Sequence, residues 1–140
     1  SEIVGRLWSQ GINREIYSGK PLEKVNSLDE VVLIIRKSTG LKFDEKMEGY
    51  HLYGTDIVNQ AISLGYNCYC AHLPIIHNDQ KKYILDKSYY SAYKLMQKKW
   101  RARLPITTTV MTISKTGYVY YFRNTSARDK NGSGRKCCLE

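Results

Sequence analysis

The sequence predicts an α/β fold, in which short apolar runs of strand character alternate with segments of helical period. Three observations carry that expectation. Val31-Val32-Leu33-Ile34-Ile35 is continuous, rich in β-branched residues and too short for a helix, the pattern of a strand covered on both faces. Asp56 to Leu64 places apolar residues at Ile57, Val58, Ala61, Ile62 and Leu64, which is helical spacing. Asn67 to Ile76 then reads as the next strand, ended by Pro74 and His77. A helix of that length between two strands is the signature of a crossover unit.

The remaining elements follow in order. Residues 3–8 read as a short strand, and residues 9–24 as irregular chain punctuated by Gly11, Gly19 and Pro21. The strand of the apolar run is expected over Val25 to Lys37, and Ser38-Thr39-Gly40 is a turn. Thr55 or Asp56 is the natural cap of the helix that follows, and Gly65 its stop, because glycine accepts the left-handed conformation that ends helices. Ser88 to Arg103 is a second helix, with an apolar set of Tyr89, Tyr90, Tyr93, Leu95, Met96 and Trp100, and Pro105 ends it. Ile106 to Ser114 and Gly117 to Phe122 alternate like strands around Lys115-Thr116-Gly117, a hairpin signal, although Ile106 to Ile113 can also start a helix. From Asn124 the chain is polar, glycine-bearing and basic, so residues 1–123 are read as the folded part and 124–140 as a basic flexible tail.

Composition narrows the function classes. The 140 residues can bury a core without disulfides or metals. No apolar run approaches the roughly 20 residues that span a bilayer, and no basic segment followed by an apolar stretch marks a leader. The net charge of +9 favours anionic partners: nucleic acid, an anionic membrane face or phosphorylated substrates. The 12 tyrosines suit stacking on bases or sugars. Cys68 and Cys70 share one face of a strand and Cys137 and Cys138 are adjacent; neither pair has zinc-ligand spacing, so free thiols in a reducing compartment are expected. No Gly-x-Ser-x-Gly elbow is present, and Cys70 near His72 has no identifiable third partner for hydrolysis.

The chemistry-bearing stretch is Gly49-Tyr50-His51-Leu52-Tyr53-Gly54-Thr55-Asp56, followed by Ile76-His77-Asn78-Asp79. The first sets two aromatics, a histidine and a glycine before an aspartate at a helix start. The second is a polar cluster at the end of an apolar run. By residue type alone, Asp56 is equally at home as a helix-start carboxylate facing free amides, and His77 as a strand-end histidine bonded to backbone. Taken in order, strand, turn, Tyr-His-Leu-Tyr-Gly-Thr-Asp, helix, Gly-Tyr, strand and Pro-x-x-His-Asn resemble the second half of a family 2 glycosyltransferase. Val25-Asn26-Ser27-Leu28-Asp29-Glu30, Leu41-Lys42-Phe43-Asp44-Glu45, Lys98-Lys99-Trp100 and Leu104-Pro105-Ile106 fit the same family, in particular the bacterial members that build surface polysaccharides. The resemblance covers roughly residues 22–110.

The resemblance implies the C-terminal part of a GT-A fold, a Rossmann-like mixed sheet with flanking helices. It implies transfer of a sugar from a nucleotide-sugar donor to a saccharide or lipid-linked acceptor with inversion, in the cytoplasm or at the inner face of the membrane. It assigns Asp56 as general base, and Asp29, Glu30, Tyr50, Tyr53 and Gly54 to the acceptor side. His77 becomes a ligand of the donor diphosphate or of a divalent metal, Mg or Mn. The family's Asp-x-Asp metal motif occurs nowhere in the sequence, so the chain is expected to be part of a longer transferase, lacking much of the donor pocket by itself. The cationic segment 94–103 is expected either to be a solvated face or to touch anionic lipid or a lipid diphosphate. The other function class is a non-catalytic basic module for nucleic acid or another anionic ligand. It is disfavoured because no helix-turn-helix, zinc-finger or aromatic RNA-binding signature is present.

Overall fold

The computed structural model describes residues 4–79 and 85–116, with the backbone of 118–120. The tail from Asn124 onward lies outside the described residues. Among the described residues the architecture is mixed α/β: two α-helices and three small sheets.

The first sheet has β1 (Gly5–Ser9) at its centre. It pairs antiparallel with β2 (Arg14–Ser18) and parallel with β5 (Ile76–His77), through Trp8↔Ile76 and Ser9↔His77. The second sheet is the antiparallel pair of β3 (Leu22–Val25) and β4 (Cys68–Ala71), in register from Leu22↔Ala71 to Val25↔Cys68. Residues 9–24, expected to be irregular, therefore supply most of two strands. Gly19, at φ +79, makes the turn between them.

Two further expectations are corrected. The run Val31 to Ile35 forms no ladder: it is followed by a 3-10 turn at Lys37–Thr39, and its Ile34 is 83% exposed. Its β-branched residues favour extended backbone, but a buried strand also needs neighbours on both edges, and none pairs with it among the described residues. The unit around the first helix is not a parallel crossover either, because β3 and β4 run antiparallel. Pro74 lies between β4 and β5, so the strand expected over Asn67 to Ile76 is two separate strands in two sheets.

Helix α1 (Tyr53–Ser63) starts three residues before the expected Asp56. Leu52 precedes it in the left-handed region at φ 64, and Asp56 N–H already donates to the Leu52 carbonyl. The stop at Gly65 is as expected. Gly65 N–H reaches the Ile62 carbonyl and Tyr66 N–H the Ala61 carbonyl, the pair of bonds that closes a Schellman end.

Helix α2 (Lys87–Lys99) is capped by Asp86, whose carboxylate accepts from Tyr89 N–H at 3.0 Å. Its buried residues Tyr89, Ala92, Tyr93 and Met96 form one stripe. The stripe packs with Leu52, Leu104, Ile106, Met111 and Ile113 to make the main core. The last two come from β7 (Met111–Ile113), centre of a third antiparallel sheet with β6 (Ile106–Thr107) and β8 (Tyr118–Tyr120). The hairpin expected around 115–117 is present, and 106–114 folds into a second hairpin of its own.

Candidate functional site

The site is built where the segment after β3 crosses the first turn of α1. Ser27 and Thr55 share a hydroxyl hydrogen bond of 2.8 Å. Gly54 N–H donates to Glu30 Oε1 at 3.0 Å, so a carboxylate meets a free amide of the helix start. A β-carbon at Gly54 would stand 2.7 Å from the Leu28 carbonyl oxygen. Glycine is thus required at Gly54 by the close approach of backbone.

Asp29 is tied down from the other side. One of its oxygens accepts from Glu30 N–H at 2.7 Å and the other from the Thr109 hydroxyl at 2.6 Å. Burial, reinforced by the adjacent charge of Asp29, pushes the Glu30 carboxyl up from its ordinary 4.5 to about 7, although the Gly54 amide opposes the shift. Burial first, then the Glu30 and Asp29 charges, raise the Tyr53 hydroxyl too. The Tyr53 ring meets Phe43 edge-on at 5.5 Å.

Asp56 stands one turn into the same helix and is 1% exposed. Its Oδ2 accepts from Gln60 at 2.7 Å and from the Lys99 ammonium at 2.9 Å, and its Oδ1 from the Trp100 indole at 2.7 Å. The C-terminal end of α2 therefore closes on the first turn of α1. Lys99 also bonds Asp44 at 2.6 Å, bridging two carboxylates. Its partial burial works against the charge, but the bonds to Asp44 and Asp56 outweigh it and hold the ammonium above its ordinary range; Lys99 in turn holds Asp44 below its own. Arg103 donates to the Asn59 carbonyl, a further tie between this end of α2 and α1.

Of the residues singled out in the sequence, Asp29, Glu30, Tyr53, Gly54 and Asp56 come together here. Tyr50 and His77 do not. Tyr50 is 85% exposed and covers no core. His77 ends β5, where its carbonyl accepts from Gln10 N–H, and no described hydrogen bond or ion pair joins it to Asp56. Asp79, the nearest carboxylate in sequence, engages the Ser9 hydroxyl and Gly11 N–H. Among the described residues no group of three or more His, Cys, Asp or Glu side chains is placed to hold a metal ion. The divalent metal implied by the resemblance does not fit on these residues alone.

The other histidines serve the fold: His72 bonds the Ser18 carbonyl and meets the Tyr17 ring at a tilt, and His51 lies 3.7 Å from Asp86. Burial raises the Cys68 and Cys70 thiols, the reverse of nucleophile activation. Sequence reasoning noted Lys99, Trp100 and Asp44 within motifs but gave them no role at Asp56. The one local signal was a lysine and a donor-bearing aromatic ending an otherwise amphipathic helix.

No family model matches the chain, and no solved structure matches it. The chain is similar to "ATP synthase subunits region ORF 6" of Fuscovulum blasticum, 30% identical over 82 residues, which is 59% of this chain and 32% of that protein. It thus spans about a third of the length of that relative. No helix among the described residues is long and apolar enough to cross a membrane.

Proposed function

We propose that this chain is the acceptor-side part of a family 2 glycosyltransferase of GT-A architecture, moving a sugar from a nucleotide-sugar donor to a saccharide or lipid-linked acceptor. The observation that carries the reading is the convergence of Asp29, Glu30, Tyr53 and Gly54 on the helix turn that holds Asp56. The apolar run Val31 to Ile35, which pairs with no strand among the described residues, supports it as well, since its composition suits a strand supplied with neighbours by another part of a larger sheet.

In the proposed reaction an acceptor hydroxyl oxygen bonds to the anomeric carbon as the bond from that carbon to the diphosphate oxygen breaks. The electron pair of the broken bond leaves with the nucleoside diphosphate, and the hydroxyl proton passes to Asp56. Access to Asp56 requires one of its donors to withdraw. Lys99 is that donor: its side chain is 26% exposed, it is flexible, and it keeps Asp44 as a partner when it leaves. Asp29 and Glu30 then orient acceptor hydroxyls at the start of the helix. No step is assigned to a metal.

The test is sugar transfer by the full-length protein from a panel of labelled nucleotide sugars to saccharide and lipid-linked acceptors. The reading predicts product from at least one donor. Loss of label only to water, or from no donor at all, contradicts it.

A further inference from the structure

Helix α2 presents a second, cationic face. Lys94, Lys98 and Arg101 are spaced i, i+4 and i+7, so they share one side of the helix and its 3-10 extension. Lys99 and Trp100 are turned instead to Asp56. Across from the cationic side stands Lys115, at the turn after β7. The four cations and Gln97 line a groove of about 300 Å³ with the buried Leu104 among its walls. Among the described residues no acidic side chain lines it, and their ion pairs use Arg6, His51 and Lys99 but none of these four.

The two sides of the groove are held in register by bonds from α2 side chains to the Ser114 backbone. Ser114, the residue before Lys115, accepts from the Gln97 side chain at 2.7 Å and donates its N–H to the Tyr93 hydroxyl at 3.1 Å. Four like charges gathered on a fixed concave surface repel one another, and the repulsion is relieved when an anion enters. The small volume suits a compact, multiply charged group rather than a long polymer track.

We propose that this groove is a binding site for a phosphomonoester or diphosphate group, carried either by a soluble ligand or by a lipid headgroup. The site rests on the groove alone and stands whether or not Asp56 takes part in sugar transfer.

The probe is inorganic pyrophosphate, titrated calorimetrically into the protein at fixed ionic strength. Saturable binding is expected, weakening as salt rises. The double variant Lys98→Ala/Arg101→Ala should bind roughly tenfold or more weakly, because it removes two charge-assisted contacts. The double variant Lys20→Ala/Lys24→Ala, which removes the same charge elsewhere, should bind as the parent does. Far-UV circular dichroism confirms that both variants stay folded. Vesicles containing phosphatidic acid distinguish the sources. Vesicle binding that needs Lys98 and Arg101 and is competed by pyrophosphate assigns the headgroup; pyrophosphate binding without vesicle binding assigns a soluble ligand. The proposal is overturned by no saturable pyrophosphate binding at millimolar concentration, or by equal losses in the two double variants. It is also overturned if a single-stranded oligonucleotide binds while pyrophosphate does not.

Discussion

Replacing Glu30 with glutamine should remove a pH dependence from the stability of the chain. The Glu30 carboxyl rises from its ordinary 4.5 to about 7, first because it is buried and second because Asp29 lies beside it. A raised pKa means the folded chain holds a proton that the unfolded chain releases. The associated stabilisation is present in full below pH 4.5 and is lost as pH rises through 7. At about 1.4 kcal/mol per unit the gap sets a ceiling of roughly 3 kcal/mol, and partial contact with solvent reduces the expected effect to about 2 kcal/mol. Asp44 and Asp86, whose pKa values are lowered, titrate at the acid end, below 3.8, and leave this window clear. Lys99, raised above 10.5, titrates beyond its alkaline end. Urea unfolding at pH 5 and pH 8 should show the parent less stable at the higher pH, and Glu30→Gln nearly level between the two. A variant that keeps the parent's full slope would refute the assignment of that slope to Glu30.

Three more outcomes follow from packing and bonding, each measured by the same unfolding experiment. Gly54→Ala pushes a methyl group to 2.7 Å from the Leu28 carbonyl; the segment must shift, costing about 1–3 kcal/mol. Trp100→Phe keeps an aromatic ring, though a smaller one, and removes the donor to buried Asp56 Oδ1, with an expected loss of about 1–3 kcal/mol. Met96→Ala opens a hole beneath Tyr93, Met111 and Ile113, where Met96 is fully buried, and should cost about 2–5 kcal/mol.

What could be read from the sequence was what local chemistry decides. Gly65 stopped α1 because its conformational freedom is a property of one residue, and Tyr89, Tyr93 and Met96 of the α2 stripe followed from spacing within one segment, whereas Ala92 was not expected there and Tyr90 and Leu95 are only half-buried. The start of α1 was misplaced because capping preference pointed to Thr55 or Asp56, whereas tertiary packing of Leu52 into the core set the entry. The strands within 9–24 were missed because their pairing partners, not their composition, make them strands. Val31 to Ile35 failed in the opposite sense, having strand composition without a partner. At the site, the resemblance assigned Glu30 and Gly54 to one side, but the bond between them joins residues 24 positions apart and was not foreseen. The Lys99 and Trp100 contacts span more than 40 positions to Asp56, and no local period encodes a contact of that reach.

The central claim is that Asp56 takes the acceptor proton in a sugar transfer. Asp56→Asn keeps the shape of the side chain and an oxygen for Trp100 while removing the basic carboxylate. In the full-length protein, single-turnover transfer should fall by about 100-fold or more, the usual contribution of a positioned base, while nucleotide-sugar binding measured in parallel stays unchanged. Full transfer activity in Asp56→Asn would contradict the account.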